Sequence, residues 1–297
     1  VPYRCLTLLT DYGEGGGFVG ALHAVAFSIA PEVPVLDLDH SIPRHDVRLG
    51  ALRLARMMRY VPGGVHVAVV DPGVGTSRRA VAIGCGGRAF VGPDNGLLLP
   101  AVLGAAALEP SGDGAAIRAV VLDDDRWFLS PRAATFDGRD VFVPAGAHLA
   151  AGVPFEELGS PLDPGELVRL DEPLSELSAD GRSATLEVLQ VDGFGNVQLA
   201  GDAEVLAALG LEPGDVVTVT PGSPDAGPVR ARLGRAFGDV GPGEVVVLLD
   251  SDGCVAVSVN AGRADAVLGL GTPFSERAES GAVRPTVRLT AEQLAPS

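Results

Sequence analysis

Asp71 closes an apolar run. In "VHVAVVDPGVGTSRRA" (65–80) a strand-like stretch leads to this carboxylate, a Pro-Gly-Val-Gly turn follows, and Arg78 and Arg79 come next. A carboxylate at the mouth of a core strand can orient a water molecule or accept its proton. A guanidinium returned to it by the turn would favour the hydroxide form electrostatically. Read without chemistry, the same pair is a salt bridge that staples a turn.

Two further acids occupy equivalent places. Asp11 follows "LTLLT" and Asp39 ends "VLDLD". In open α/β sheets, ligands sit beyond the carboxyl ends of the strands. Asp11, Asp39 and Asp71 are therefore expected to converge on one crevice. Between the first strand and the first helix lies "GGGFVG" (15–20), which satisfies G-x-G-x-x-G, with Asp37 and Asp39 about 20 residues on. This is the spacing of a dinucleotide site, with Gly15, Gly17 and Gly20 as its glycines. Against it, Asp11 to Glu14 separate the strand from the first glycine. Asp11 and Glu14 also place negative charge where a pyrophosphate should approach a helix N-terminus. Acids here suit ribose hydroxyls or a cation better, and an NAD-dependent dehydrogenase is the weaker reading.

The elements that must position these residues alternate along the first half. "CLTLLT", "VPVLDLDH", "VHVAVVD" and "AVAIGC" read as strands. "FVGALHAVAFSIA" reads as a helix, with Phe18, Leu22, Val25 and Ile29 on one face. "DVRLGALRLARMMRYV" is a second helix, with Asp46 at its start, and "LLLPAVLGAAA" a third. The alternation predicts an α/β domain with a mostly parallel sheet over 1–165. The stretch 166–180, rich in Pro, Gly and acid, reads as a linker. Over 181–297, short β-rich runs separated by Gly, Pro and Asp turns predict an all-β barrel-like domain. "DSDG" (250–253) between two such runs signals a hairpin. The segment around Gly112–Ala115 reads as a surface turn.

The chain has 297 residues, 46% of them hydrophobic, and a formal net charge of −16, with arginine as its only lysine-or-arginine cation. That charge argues against a nucleic-acid partner. The longest apolar runs fall short of the ~20 residues a membrane span needs, and no signal peptide is visible. Cys5, Cys85 and Cys254 are odd in number and far apart, with no C-x-x-C pattern. Free buried thiols in a cytoplasmic protein are expected, and no metal site is.

Four segments of the first half occur in a telling order: "LLTDYG" (8–13), "VVDPGVGTSRR" (69–79), "VGPDNGLL" (91–98) and "TFDGRDVFVPAGAHLAAG" (135–152). The second half adds "VDGFGNV" (191–197), "AFGDVGPGE" (236–244) and "DSDGCVAVSVNAG" (250–262). By these motifs the chain resembles the S-adenosyl-L-methionine (SAM) hydroxide adenosyltransferases, the adenosine-forming SAM hydrolases, sisters of the SAM-dependent fluorinase and chlorinase. The resemblance spans nearly the whole chain. It implies a homotrimer with active sites between the N-terminal domain of one subunit and the C-terminal barrel of the next. It implies that water attacks C5′ of SAM, giving adenosine and L-methionine, with SAM as substrate and no cofactor. A tyrosine is typical of the halogenases where Asp71 stands, so Asp71 points to water.

The resemblance assigns roles residue by residue. Asp71 and Arg78 would hold the water, and Asp11 would accept hydrogen bonds from the ribose hydroxyls. Phe237 offers a face for adenine, Asn196 a donor–acceptor pair for its edge, and Asp192 a partner for the substrate ammonium. Phe194 shares the "DGFGN" loop with Asp192 and Asn196. Ser251, Asn260 and the Ala261 backbone match further methionine- and adenine-side positions. One residue departs from the pattern: the family usually has "TFHGRD", and here Asp137 replaces the histidine. A second acid beside Asp71 would couple the two titrations. His148, in a helical stretch, reads as packing. His45, in the loop after the second strand, is placed to rim the site. The competing readings are a halogenase-like adenosyltransferase and a SAM- or adenosine-binding protein with little turnover.

Overall fold

The computed structural model describes residues 3–108, 116–223, 226–270 and 284–292. The expected turn at Gly112–Ala115 lies outside the described residues. The chain divides into two compact units, Val1–Leu170 and Asp171–Ser297.

The first unit is built on seven strands: β1 (Leu6–Thr10), β2 (Val35–Asp39), β3 (Val65–Val69), β4 (Ala80–Cys85), β5 (Arg88–Pro93), β6 (Arg118–Val121) and β7 (Ser160–Leu162). Their order is β2-β1-β3-β5-β4-β6-β7. β2, β1, β3 and β5 pair in parallel. β4 runs antiparallel to both β5 and β6, so β6 resumes the common direction, and β7 reverses it again. The sheet is thus mostly parallel, as its alternating pattern predicts. β1 and β3 are central and buried at every residue, which is why they read as unbroken apolar runs.

Helices α1 (Phe18–Ile29), α2 (Val47–Met57), α3 (Leu99–Leu108) and α4 (Val143–Ala151) complete this unit. Asp46 caps α2, accepting a hydrogen bond from the Leu49 amide at 3.0 Å. α1 buries Leu22 and Ala26 and packs Val25 and Ile29 against the same core, so Leu22, Val25 and Ile29 of the expected face lie inward. Phe18 is 47% exposed. It packs instead on Tyr12 and Phe136, with ring centroids 5.9 and 5.3 Å away.

Eight strands build the second unit: β8 (Ser175–Leu177), β9 (Ser183–Val191), β10 (Val197–Leu199), β11 (Val216–Pro221), β12 (Val229–Leu233), β13 (Val245–Leu249), β14 (Val255–Val259) and β15 (Thr286–Ala291). The order β10-β14-β13-β12-β11-β15-β9 closes on itself through a β10–β9 pairing, making a seven-stranded barrel with β8 added beside β9. Closure removes the unpaired edges an open sheet would expose. The short helices α5 (Ala203–Ala208) and α6 (Ala264–Val267) lie between strands. The β13–β14 hairpin turns at Asp250, whose carboxylate accepts from the amides of Asp252 (2.8 Å) and Cys254 (3.0 Å). Residues 166–180, read as a linker, contain β8 and the division between the units. Cys5 and Cys85 are buried, whereas Cys254 is only partly buried.

Candidate active site

Beyond the carboxyl ends of β1 and β3 lies a cavity of about 450 Å³, lined in part by Asp11, Tyr12, Phe18, His45, Asp71 and Asp137. Arg78 is not among the lining residues; the turn after β3 explains how it reaches Asp71, which is. The Gly73 amide donates to Asp71 Oδ1 at 3.2 Å and the Thr76 hydroxyl to the Gly73 carbonyl at 2.6 Å. Gly75 has φ +76°, a left-handed conformation that suits glycine. A Cβ on Gly73 would stand 3.1 Å from Arg78 Cγ. Asn95 ties the strand end, donating from its side chain to the Val70 carbonyl at 2.9 Å.

Arg78 and Arg79 diverge. Arg78 Nε donates to both Asp71 oxygens, at 3.0 and 2.9 Å, and Nη2 donates to Asp71 Oδ2 as well. Nη2 also donates to Asp137 Oδ2 at 2.6 Å, and the guanidinium carbon lies 5.0 Å from the Phe142 ring centroid. Burial disfavours the Arg78 charge, but hydrogen bonds and charge from Asp71 and Asp137 outweigh that and raise its pKa. Arg79 turns away to Asp94 (2.8 Å) and Glu166 (3.3 Å), where it stitches the loop after β5 to residues near the end of the unit.

Asp137 precedes a wide π-helical turn, Gly138–Phe142, that runs on into α4. The two acids of "TFDGRD" have different work. Asp137 faces the cavity. Asp140 is fully buried and pins the preceding loop, accepting from the Ala133 amide at 2.7 Å and from Arg139 at 2.6 Å. Burial opposes the Asp140 charge, yet Arg139, the Ala133 amide and the Arg132 charge together hold its carboxyl below the usual range. The pinned loop delivers Arg132, whose Nη2 donates to Asp137 Oδ1 at 2.9 Å. Asp71 and Asp137 thus meet through a shared guanidinium, and a second arginine backs Asp137. The second acid expected near Asp71 is present, with Arg78 bound to both carboxylates.

Asp11 sits just past β1. Its Oδ2 accepts from the His45 amide at 2.9 Å, and His45 takes the left-handed conformation, φ 63°. Burial raises the Asp11 pKa, partly offset by that amide and the nearby charge of His45 and Arg44. Beside it, burial and the surrounding carboxylates of Asp11, Asp71 and Asp137 push the Tyr12 phenol above its ordinary range, so Tyr12 is a neutral hydrogen-bonding group. Asp39 does not join the cavity: it pairs with Arg53 and with Ser41 at 2.7 Å. Asp37 pairs with His23 at 2.8 Å. The glycine loop does not meet the needs of a dinucleotide site either. Its third glycine should permit close helix–strand packing, but a Cβ on Gly20 would meet nothing within 4 Å.

In the barrel unit a second cavity, of about 480 Å³, gathers Asp192, Phe194, Asn196, Phe237 and Ser251. Asp192 organises its own loop, accepting from the Phe194 amide, the Asn196 amide and the Asn196 side chain at 2.9, 2.9 and 2.8 Å. Phe194 is 81% exposed and Phe237 48%. Asn260 and Ala261 are not among the lining residues. The Asn260 side chain donates to the Val240 carbonyl at 2.7 Å, and Ala261 adopts φ 55° just past β14. Gln190, Gln198 and Ser258 also line this cavity and were absent from the sequence assignment. Gln190 donates to Gln198 at 2.9 Å, and Gln198 to Asp250. Polar residues inside the apolar runs "NVQLA" and "CVAVSVN" were the signal available for them. Among the described residues, no group of three or more His, Cys, Asp or Glu is arranged to hold a metal ion.

Known proteins match both the α/β unit and the barrel unit. Residues 6–159 match the SAM hydroxide adenosyltransferase N-terminal domain and residues 186–273 its C-terminal domain. The chain is 46% identical to a protein of Salinispora tropica named (R)-S-adenosyl-L-methionine hydrolase, over 91% of this chain and 95% of that protein. A protein of the same name from Thermus thermophilus is 39% identical over 90% and 96%. An uncharacterized conserved protein from Thermotoga maritima, solved by crystallography, superposes with a TM-score of 0.78 at 30% identity, covering 96% of this chain and 99% of that one. The chain belongs to the SAM hydroxide adenosyltransferase family.

Proposed function

We propose that this chain hydrolyses SAM at C5′ of the ribose, releasing adenosine and L-methionine, with the substrate in the (R) form that its relatives' names specify. The observation that carries the reading is Asp71 on the cavity wall, with Arg78 hydrogen-bonded to both of its carboxylate oxygens. The sulfonium is already a good leaving group, because its departure turns a cation into a neutral thioether. What the reaction lacks is a well-placed nucleophile. Asp71 orients a water and takes up its proton, while Arg78 stabilises the developing hydroxide. The water oxygen bonds to C5′ as the C5′–S bond breaks, and the bonding pair leaves with sulfur. Holding oxygen, carbon and sulfur in line is itself worth about 7–11 kcal/mol.

The cavity chemistry favours water over halide. Asp11, Asp71 and Asp137 all line it, and carboxylates attract a sulfonium but repel a halide ion. Asp11 accepts hydrogen bonds from the ribose hydroxyls. Asn196 and Phe237 of the barrel unit take the adenine, with Asp192 and Ser251 on the amino-acid side. Asn260 and Ala261 support the adenine loop from outside the cavity wall. The site is completed in a homotrimer, where the barrel of one subunit closes the α/β cavity of another. In support, each unit carries an open cavity with exposed aromatic residues at it, Phe18 in one and Phe194 and Phe237 in the other. The enzyme works in the cytoplasm; no described helix is long and apolar enough to cross a membrane. Incubation with SAM followed by chromatography tests the activity. Adenosine and methionine in equal amounts support it, and tight SAM binding without product would leave a binding protein.

A further inference from the structure

The acid at position 137 has a built-in counter-ion. Asp137 is 3% exposed and its carboxylate is shared between two arginines: Oδ2 accepts from Arg78 at 2.6 Å and Oδ1 from Arg132 at 2.9 Å. Arg132 Nε adds a longer bond at 3.3 Å. Arg78 is already committed to Asp71 through Nε and Nη2. The result is a continuous row, Asp71–Arg78–Asp137–Arg132, in which charges alternate and cancel. Without Arg132 the row would carry one net negative charge against buried neighbours, and a buried unbalanced charge is costly.

Arg132 arrives by design of the loop, not through a helix or strand. The Leu129 amide donates to the Asp140 carbonyl at 2.9 Å, the Ala133 amide to the Asp140 carboxylate at 2.7 Å, and the Arg132 guanidinium lies 5.7 Å from the Phe128 ring centroid. The groups around Asp137 are Tyr12 from the loop after β1, Asp71 and Arg78 from the loop after β3, and Arg132, Arg139 and Asp140 from its own segment. Tyr12 is neutral, and Arg139 is engaged with Asp140. Arg132 is therefore the cation that balances Asp137 once Asp71 has claimed Arg78.

We propose that Arg132 is a positioning residue for hydrolysis: it holds the Asp137 carboxylate fixed against Arg78, so that Arg78 stays aimed at the water held by Asp71. This rests on the hydrolase reading above.

The test is single-turnover hydrolysis of SAM between pH 5.5 and 9.5 by the parent enzyme, Arg132→Met, Arg132→Gln and Arg132→Lys. Removing Arg132 is expected to lower the single-turnover rate by about tenfold or more, as misplacement of a group at the reacting centre does. KM changes little, and Arg132→Lys restores most of the rate. His45 also lines the cavity, but it is common to every variant, so the differences report Arg132. Arg132→Gln serves if Arg132→Met folds poorly. An unchanged rate, or a loss that lysine does not repair, overturns the proposal. A parent enzyme that binds SAM but releases no adenosine overturns the hydrolase reading and this inference with it.

Discussion

The Arg78 guanidinium joins Asp71 and Asp137, donating to the first through Nε at 2.9 Å and to the second through Nη2 at 2.6 Å. The two acids are 66 positions apart in sequence and reach one cation because a glycine turn folds back from β3 while the start of the α4 segment presents Asp137. This bridge is what a water-activating site needs: an acceptor for the proton, and a fixed positive charge for the oxygen that loses it.

Asp71→Asn and Arg78→Ala should each lower the single-turnover rate by about 10²-fold or more, the usual size of a lost acid–base or electrostatic group. SAM affinity, measured by calorimetry, should change far less, because these groups act in the transition state. A parallel loss of binding and rate would assign them to substrate binding alone.

Asp137→Ala leaves Arg78 and Arg132 facing each other across an empty position. Turnover should fall by about 10²-fold, the low end of the range for a lost electrostatic group. Asp137→His, restoring the residue usual in the family, should retain turnover with an altered pH profile, since an imidazole replaces a carboxylate. Rates across pH check both, and parent-like behaviour of both variants would remove Asp137 from the mechanism.

Gly138 has no room for a side chain. A Cβ there would stand 2.2 Å from the Tyr12 hydroxyl. Tyr12 is held between Phe18 and Phe136, so it yields only by displacing the cavity wall. Gly138→Ala should cost about 1–3 kcal/mol of stability, as overpacking does, and should weaken adenosine binding. Chemical denaturation and calorimetry measure the two effects.

His66 makes the first unit acid-sensitive. It is buried in β3, hydrogen-bonded to Thr7 at 3.0 Å and packed on Phe90. Burial, assisted by the nearby Arg88 charge, lowers its pKa from 6.5 to about 3. Between these values the unfolded chain takes up a proton that the folded chain refuses. The stability from neutral His66 is present above about pH 6.5 and is lost as pH falls towards 3. In His66→Gln the urea midpoint should decline less between pH 6.5 and 4 than in the parent. Equal slopes would show that His66 does not govern this window.

Much of this site could be read from spacing. Asp11 and Asp71 announce themselves as acids at the ends of apolar runs, and β1 and β3 do place both on one cavity. Asp39 obeys the same pattern but is taken by Arg53 and Ser41, which no periodicity reveals. Arg132 was illegible because its loop has no repeating pattern; its position is set by hydrogen bonds to a buried Asp140. The barrel was expected from its short β-rich runs. Its closure depends on the three-residue strand β10 pairing on both sides, a long-range fact that local pattern does not carry.

The central claim is attack of water at C5′, and isotope transfer tests it most directly. A single-turnover reaction in ¹⁸O-enriched water should place one heavy oxygen in adenosine, at the 5′-hydroxyl, and none in methionine. Adenosine without the label, or heavy oxygen in the amino-acid product, would contradict the account.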